Sequence, residues 1–455
     1  MAPPSRSETT PVAAVPETIA GDAVPHERES PGTGRRGTYA ISLLTAIFAL
    51  NFLDRQIVTI LAGPIKAEMG LSDTQIGLIS GLAFALFYAL LGLPIAMLAE
   101  RFNRVWIIAG SAGLWSVMTA LCGATMNFGQ LFLARLGVGI GEAGCIPASH
   151  ALIADTVDPA RRASALSLFS LGIPIGTLLG MVMGGWIAAE YGWRAAFLVA
   201  GLPGIALAAL LAMTVRDPRH GSAWSGSSRE ATAYPPLVLR SAIRSLLAIP
   251  SYRQALAAGT LASMGSFGIT AFLGIYVQAR HGLTLPQTGL LLGLVIGIAG
   301  GVGSAAGGML VDRIGTRAAH AQVPGLAVLV TAPCLAAALL VDNAVIAFIL
   351  FVLGTAASTL WYGPTFGLFQ GVSGPHRRAV AIAFFTLSAN LIGLGLGPTL
   401  IGIASDGMTS QCTPACPAPF DLPLEIALTC ATLLYLWSGL HYRAAARAVE
   451  RDWQG

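Results

Sequence analysis

Apolar stretches of about twenty residues or more recur twelve times along the chain. They lie near residues 38–62, 73–99, 104–126, 128–154, 163–188, 193–215, 254–279, 287–311, 320–341, 344–370, 379–404 and 423–446. Each is long enough to cross about 30 Å of hydrocarbon as a helix. The pattern predicts an all-α membrane protein with twelve transmembrane helices in two six-helix halves. Residues 1–37 are polar and Pro-rich, with no apolar core of a signal peptide, and predict a disordered tail. A second polar stretch, 216–252, contains GSAWSGSSRE and a Pro pair and separates the halves, 38–215 and 253–447, with a short tail at 448–455.

Composition strengthens this picture. Of 455 residues, 55% are hydrophobic and 11% charged, against roughly 25% charged in a soluble domain. The 54 Gly and 26 Pro would break soluble helices but are common in packed membrane helices. The net charge of +4 matters less than where the cations fall. With the N-terminus inside, the inner segments hold nearly all the arginines, including Arg101, Arg104, Arg161, Arg162, Arg216, Arg240, Arg313, Arg317, Arg377, Arg378 and Arg443. The outer segments hold only Lys66, Arg194 and Arg280. The positive-inside rule therefore puts both termini in the cytoplasm, with the chain in a cell inner membrane. Four cysteines, Cys122, Cys145, Cys334 and Cys430, fall in apolar spans as small buried hydrophobes. Cys412 and Cys416 share the last outer loop, where a disulfide could form in an oxidising compartment.

The halves repeat each other. LAERFNR at 98–104 parallels LVDRIGTR at 310–317, with Glu100-Arg101 and Asp312-Arg313 offset by 212 residues. DPARRASA at 158–165 parallels GPHRRAVA at 374–381, with Arg161-Arg162 and Arg377-Arg378 offset by 216. Pro147 with Pro364, and Gly180 with Gly397, are offset by 217. Parallel repeats of this kind suit two bundles rocking about a central site near the bilayer midplane.

Gly308-Met-Leu-Val-Asp312-Arg313-Ile-Gly315-Thr-Arg317 fits the loop signature Gly-x-x-x-Asp-Arg-x-Gly-x-Arg, and the chain here resembles the major facilitator superfamily. In the first copy Ala96, Glu100 and Asn103 replace the leading Gly, the Asp and the second Gly. The resemblance implies a cytoplasmic latch formed by Glu100, Arg101, Arg104, Asp155, Arg161, Arg162, Asp312, Arg313, Arg317, Arg377 and Arg378. Physically, an acid at a helix end can hold neighbouring arginines in one state and release them in another. Ordinary positive-inside anchoring would also place the arginines there.

Within that superfamily the chain resembles the spinster group of lysolipid and sphingolipid transporters. The residues that carry this are Asn51-Phe-Leu-Asp54-Arg55 in the first span and Ala134-Arg135-Leu-Gly-Val-Gly-Ile-Gly-Glu142-Ala143 in the fourth. Leu152-Ile-Ala-Asp155 and Leu168-Phe-Ser-Leu-Gly-Ile-Pro-Ile-Gly176 support it. Organic-anion transporters of the same superfamily share the Asn-x-x-Asp-Arg pattern and a Glu-Ala in the fourth span. Gly176-x-x-x-Gly180 and its mate Gly393-x-x-x-Gly397 resemble a glycine-rich antiporter pattern, and also suit plain close packing of helices.

Asp54, Arg55, Arg135 and Glu142 are charges within spans, where they are costly and so become functional candidates. Arg135 and Glu142 are seven residues apart, about two turns and 10 Å on one helix face. The expectation is a neutral network in which Asp54 and Glu142 carry protons or alternate as partners of Arg55 and Arg135, with Asn51 beside them. A buried carboxyl disfavours its charged form and a neighbouring arginine restores it, so moving an arginine between acid and substrate couples the two. A static bridge between the two spans is the plainer alternative, although buried pairs add little net stability over apolar packing. His150 reads as a packing residue. Phe267, Phe272 and Tyr276 of the seventh span, with Trp361 and Tyr362 of the tenth, suggest an apolar wall opposite the charges.

The expected function is a secondary transporter of a lysophospholipid or sphingoid amphiphile, driven by protons, acting as a monomer without cofactor, metal or nucleic-acid partner. The alternative is a proton-coupled symporter of small organic anions such as sugar acids. A membrane enzyme would want a nucleophile-base or metal set, which the spans do not show, so an enzyme is not expected. No Gly-x-x-x-x-Gly-Lys loop suggests a primary pump.

Overall fold

The computed structural model describes residues 35–158, 161–218, 236–374, 377–411 and 422–454. Its described residues hold twelve helices long and apolar enough to cross a membrane. They are α1 Gly37–Met69, α2 Asp73–Gly92, α3 Arg104–Cys122, α4 Phe128–Thr156, α5 Ser164–Tyr191 and α6 Trp193–Thr214. After a polar connection come α7 Pro250–His281, α8 Leu285–Ile314, α9 Ala319–Leu340, α10 Ala344–Ser373, α11 Arg378–Ser410 and α12 Leu422–Asp452. Every expected span is present. The differences are at the margins: the connection carries a short amphipathic helix, Pro236–Leu247, and α7 begins at Pro250 rather than 253. The last helix runs to Asp452 through the stretch expected to be a tail. The expected disordered segment up to Gly34, and Cys412 and Cys416, lie outside the described residues.

Short polar signals start the helices. Ser72 and Gln75 form a capping box at the start of α2, and Asn103, Asn127 and Asn343 cap α3, α4 and α10 with their side-chain oxygens. Gly315, the second glycine of the loop signature, sits at φ 69° and ends α8 in the left-handed conformation. Its first-half counterpart Asn103 instead has φ −64° and works as a cap. The same sequence position thus does two jobs in the two halves.

Several spans are interrupted. The α4 helix breaks at Ala143-Gly144, directly after Glu142, and α10 breaks at Leu360-Trp361, directly after Thr359. These breaks fall at matching places in the repeat. Wider π turns occupy Leu78–Leu82 of α2, Gly293–Ala299 of α8 and Ala389–Leu396 of α11. Such turns insert a residue and often mark functional positions.

The glycine-rich face of α5 is a packing face. A Cβ on Gly176 would lie 2.0 Å from the Ala49 carbonyl oxygen, and one on Gly180 would lie 2.8 Å from that of Leu53. This close contact seats α1 against α5 just before Asp54. Its repeat mate behaves alike, with Gly397 against the Met264 carbonyl at 2.5 Å.

The first and last six helices meet mainly at one end, the end opposite the arginine-rich loops. There α2 packs on α11, α5 on α8 and α1 on α7. A Cβ on Gly77 would lie 2.4 Å from the Pro398 carbonyl, one on Gly402 2.3 Å from that of Asp73, and one on Gly289 2.3 Å from that of Met181. Contact continues to mid-depth, where Gly395 approaches Ala85 and Gly301 approaches Pro174. Beyond that depth the arginine-rich segments of α4, α5, α10 and α11 make no comparable contact across the halves among the described residues.

Candidate functional site

Asp54 lies near the middle of α1, and Glu142 closes the first segment of α4. Their depth, and the packing of α1 on α5, turn the charged stretch of α1 toward α3 and α4. Arg55 Nε donates to Glu142 Oε2 at 2.6 Å. The Glu142 side chain is fully buried, whereas that of Arg55 keeps 17% of its surface exposed. Of the two partners only the arginine keeps exposed surface.

Asp54 is 1% exposed and takes a different partner. Thr119 of α3 donates its hydroxyl to Asp54 Oδ2 at 3.0 Å. Arg135 is 2% exposed and reaches only the Asp54 backbone carbonyl, at 3.5 Å. No ion pair within 4.0 Å joins Asp54 to Arg135. The four expected charges come together, then, but as one tight pair and two neighbours. Adjacent residues on a helix point about 100° apart, and Asp54 and Arg55 accordingly take different hydrogen-bond partners, Thr119 and Glu142.

Aromatic rings hold the arginines. The Arg55 Cζ lies 4.6 Å from the Tyr88 ring centroid, 4.7 Å from that of Phe84 and 5.2 Å from that of Phe52. Phe84 also serves Arg135, whose Cζ is 5.6 Å away. Ring faces attract cations, more strongly once both are desolvated. Hydrogen-bonding capacity is left over around these charges. Both amide atoms of Asn51, Asp54 Oδ1, Glu142 Oε1, Arg55 Nη2, Arg135 Nε, Trp115 Nε1 and Ser116 Oγ are buried without a hydrogen-bond partner among the described residues. Unmet buried polar atoms are costly, and they concentrate where protons or a polar ligand can be received.

The facing half differs from expectation. Phe272 is fully buried, and Tyr276 is buried with its hydroxyl donating to the Leu339 carbonyl, so neither forms a cavity wall. Core packing of α7 consumes them. Tyr362, at the break in α10, is instead 46% exposed and lies within electrostatic reach of Arg55 and Tyr88. His150 is exposed and touches Phe169 edge-on with its ring.

At the arginine-rich end, Arg104 is buried and pairs with Asp155 while donating to the Ala151 carbonyl; its backbone N–H donates to Asp217. Asp155 therefore joins Arg104 rather than Arg161 and Arg162, both of which are exposed, as is Arg101. Of Glu100 only the backbone is described. In the second half Asp312, Arg313 and Arg317 are exposed, and Asp312 forms no ion pair within 4.0 Å among the described residues. Arg317 lies over Trp453 at 6.0 Å, and Arg377 donates to Ser245 Oγ, Gln454 Oε1 and the Ser373 carbonyl. Arg378 donates to the Gln370 carbonyl.

The opposite end carries an ionic cluster that sequence reasoning did not single out. Asp73 accepts from Lys66 Nζ at 2.6 Å and from Ser405 Oγ of α11 at 2.7 Å. Asp406 of α11 accepts the backbone N–H groups of Asp73 and Thr74 at 3.0 and 2.8 Å. A carboxylate from one half thus caps the first turn of α2 in the other, where free N–H groups and the helix dipole favour an anion. In the sequence these acids look like ordinary polar residues at span ends.

Twelve spans, a mid-depth charge network and contact between the two sets of six helices at one end define a multi-pass membrane transporter. The chain belongs to the Major Facilitator Superfamily, whose sequence description matches residues 44–398. It is 32% identical to an MFS-type efflux pump of Mycolicibacterium smegmatis over 83% of this chain and 86% of that one. It is 26% identical to the sphingosine-1-phosphate transporter SPNS2 of Danio rerio over 90% of this chain and 83% of that one. A probable L-galactonate transporter of Escherichia coli is 30% identical over 56% of this chain and 57% of its own length. Among solved structures, a bacterial homologue of the human lysosomal transporter spinster, inward-facing and unoccupied, superposes with a TM-score of 0.83 at 28% identity. It matches 93% of this chain and all of that one.

Proposed function

We propose that this chain carries a lysophospholipid or sphingoid-type amphiphile across a cell inner membrane by alternating access, driven by protons through Asp54 and Glu142. The observation that carries the reading is the Arg55–Glu142 pair. A fully buried carboxylate is paired with an arginine that keeps 17% of its side-chain surface exposed. Arg55 Nη2 is buried with no hydrogen-bond partner among the described residues, and a guanidinium drawn off Glu142 suits a phosphate or carboxylate head group. Binding there would draw Arg55 off Glu142 and favour a proton on the acid, so that proton and substrate movements are linked. Asp54, with Arg135 and Thr119, is the second proton-carrying group, and Asn51 lies beside Glu142.

If the arginine-rich loops are cytoplasmic, the structure is inward-facing, with the Asp73–Asp406 cluster as the closed outer side. That orientation puts both described ends, α1 at its start and α12 at its finish, inside. The exposed arginines, with Asp312, would be latch elements waiting to engage when the inner side closes. The protein would work as a monomer, with protons as its only coupling partner besides substrate and bilayer. Relatives support the amphiphile, since one is named as a sphingosine-1-phosphate transporter. The L-galactonate relative supports a second reading, uptake of a small organic anion at the same arginine.

The test is flux in liposomes of purified protein, with fluorescent lysophospholipid and with sphingosine phosphate, with and without a pH gradient. Gradient-dependent lipid flux lost in Asp54→Asn and Glu142→Gln supports the proposal. Uptake of a sugar acid without lipid flux would replace it by the second reading.

A further inference from the structure

We infer that Phe84 and Tyr88 of α2 are positioning residues that hold Arg55 on Glu142 only while the Asp406 lock at the far end is closed. Helix α2 would then carry lock opening to the charge pair. The inference rests on the reading of Arg55–Glu142 as the working pair.

Three sets of contacts place α2 between the two events. Its first turn is held by the second half, through Asp406 on the Asp73 and Thr74 N–H groups and Ser405 on Asp73. Its next two turns lie backbone-to-backbone on α11, where a Cβ on Gly77 would be 2.4 Å from the Pro398 carbonyl and one on Gly81 2.6 Å from that of Leu394. Sliding or tilting of α11 against this face would press directly on the α2 backbone, because no side chain cushions the contact. Its middle then meets the charge pair. Phe84 and Tyr88, one turn apart, present their rings to Arg55, and the Phe84 carbonyl would lie 2.4 Å from a Cβ on Gly139 of α4, close before Glu142.

Between lock and clamp runs the π segment Leu78–Leu82. A π turn can be passed along or lost by a helix with a change of register, and such a change would rotate Phe84 and Tyr88 relative to Arg55. From Thr74 to Tyr88 the helix spans about 20 Å, at about 1.5 Å per residue. Coupling over that distance needs an element with two arrangements that both sites bias, and α2 has contacts to both. Linkage makes the effect reciprocal: if the closed lock favours the clamp, breaking the clamp favours the open lock by the same factor.

The experiment reads the lock directly in the full chain. Spin labels on Ala67→Cys and Thr409→Cys, in a background without the six native cysteines, report the distance across the far end by double electron–electron resonance. Tyr88→Leu is expected to raise the lock-open fraction about tenfold, in line with loss of one desolvated cation–π contact. Tyr88→Phe, which keeps the ring, is expected to restore the parental distribution. Glu142→Gln should raise the open fraction as well, and Tyr88→Leu with Glu142→Gln should do no more than the stronger single change. Phe84→Leu serves as a second probe should Tyr88→Leu fail to give monodisperse protein. An unchanged distance distribution in both leucine variants, or effects of Tyr88→Leu and Glu142→Gln that simply multiply, would overturn the inference. Because the readout is a distance, loss of lipid flux with this coupling intact would overturn the functional reading alone.

Discussion

Replacing both members of the Arg55–Glu142 pair separates a structural bridge from a working one. Glu142→Leu alone leaves Arg55 held among three rings, with 17% of its side chain exposed, and no anion. With charge centres about 4 Å apart and an effective dielectric near 20, the lost attraction is about 4 kcal/mol. Removing one partner of a buried pair costs about 3–5 kcal/mol. Partial solvation of Arg55 from the cavity favours the lower figure, so about 3 kcal/mol is expected. Arg55→Met combined with Glu142→Leu leaves no uncompensated charge, fills similar volume and should return to within about 1 kcal/mol of the parent or exceed it. Unfolding by SDS in mixed micelles, followed by tryptophan fluorescence, measures all three variants. The double variant should nevertheless be inactive in gradient-driven flux. Parental flux in that stable double variant would refute the charge network as the coupling element. A double variant no more stable than Glu142→Leu would refute the energetic coupling of the pair.

Three further outcomes follow from the geometry. Asp406→Ala removes two charge-assisted hydrogen bonds from the first turn of α2, together about 2–4 kcal/mol. Maleimide labelling of a cysteine at Thr399, which is buried between α2 and α11, should accelerate at least tenfold, and an unchanged rate would remove Asp406 from the lock. Gly289→Val puts a side chain where even a Cβ would lie 2.3 Å from the Met181 carbonyl; it should likewise favour opening at that end, by the 1–3 kcal/mol typical of overpacking, with no loss of fold by circular dichroism. Arg104→Ala strands half-buried Asp155 of α4, while the backbone N–H of residue 104 still serves Asp217, and should lower unfolding stability by about 3 kcal/mol.

Hydrophobic pattern alone determined the twelve spans, because bilayer thickness sets helix length and the lack of water forbids open backbone. The charges inside spans were legible as site candidates for the same reason: Asp54, Arg55, Arg135 and Glu142 stand out against an apolar run whatever the tertiary fold. The loop signature Gly308–Arg317 brought the resemblance to the superfamily, and Asn51–Arg55 with Ala134–Ala143 the resemblance to the spinster group within it. Pairing was another matter. Sequence spacing could not choose Glu142 over Asp54 for Arg55, nor Arg104 over Arg161 for Asp155, since a partner is decided by the rotation and depth of neighbouring helices. Phe84 and Tyr88 were invisible as clamp residues because an aromatic in an apolar span is ordinary until a cation lies over its face. Phe272 and Tyr276 misled for the converse reason, since exposure to a cavity depends on which face of α7 the core consumes. Asp73 and Asp406 lie 333 residues apart and meet only because the two halves close at one end. Period and polarity are local properties that a chain carries along its length, whereas partners, exposure and the side that is shut belong to the packing of distant helices.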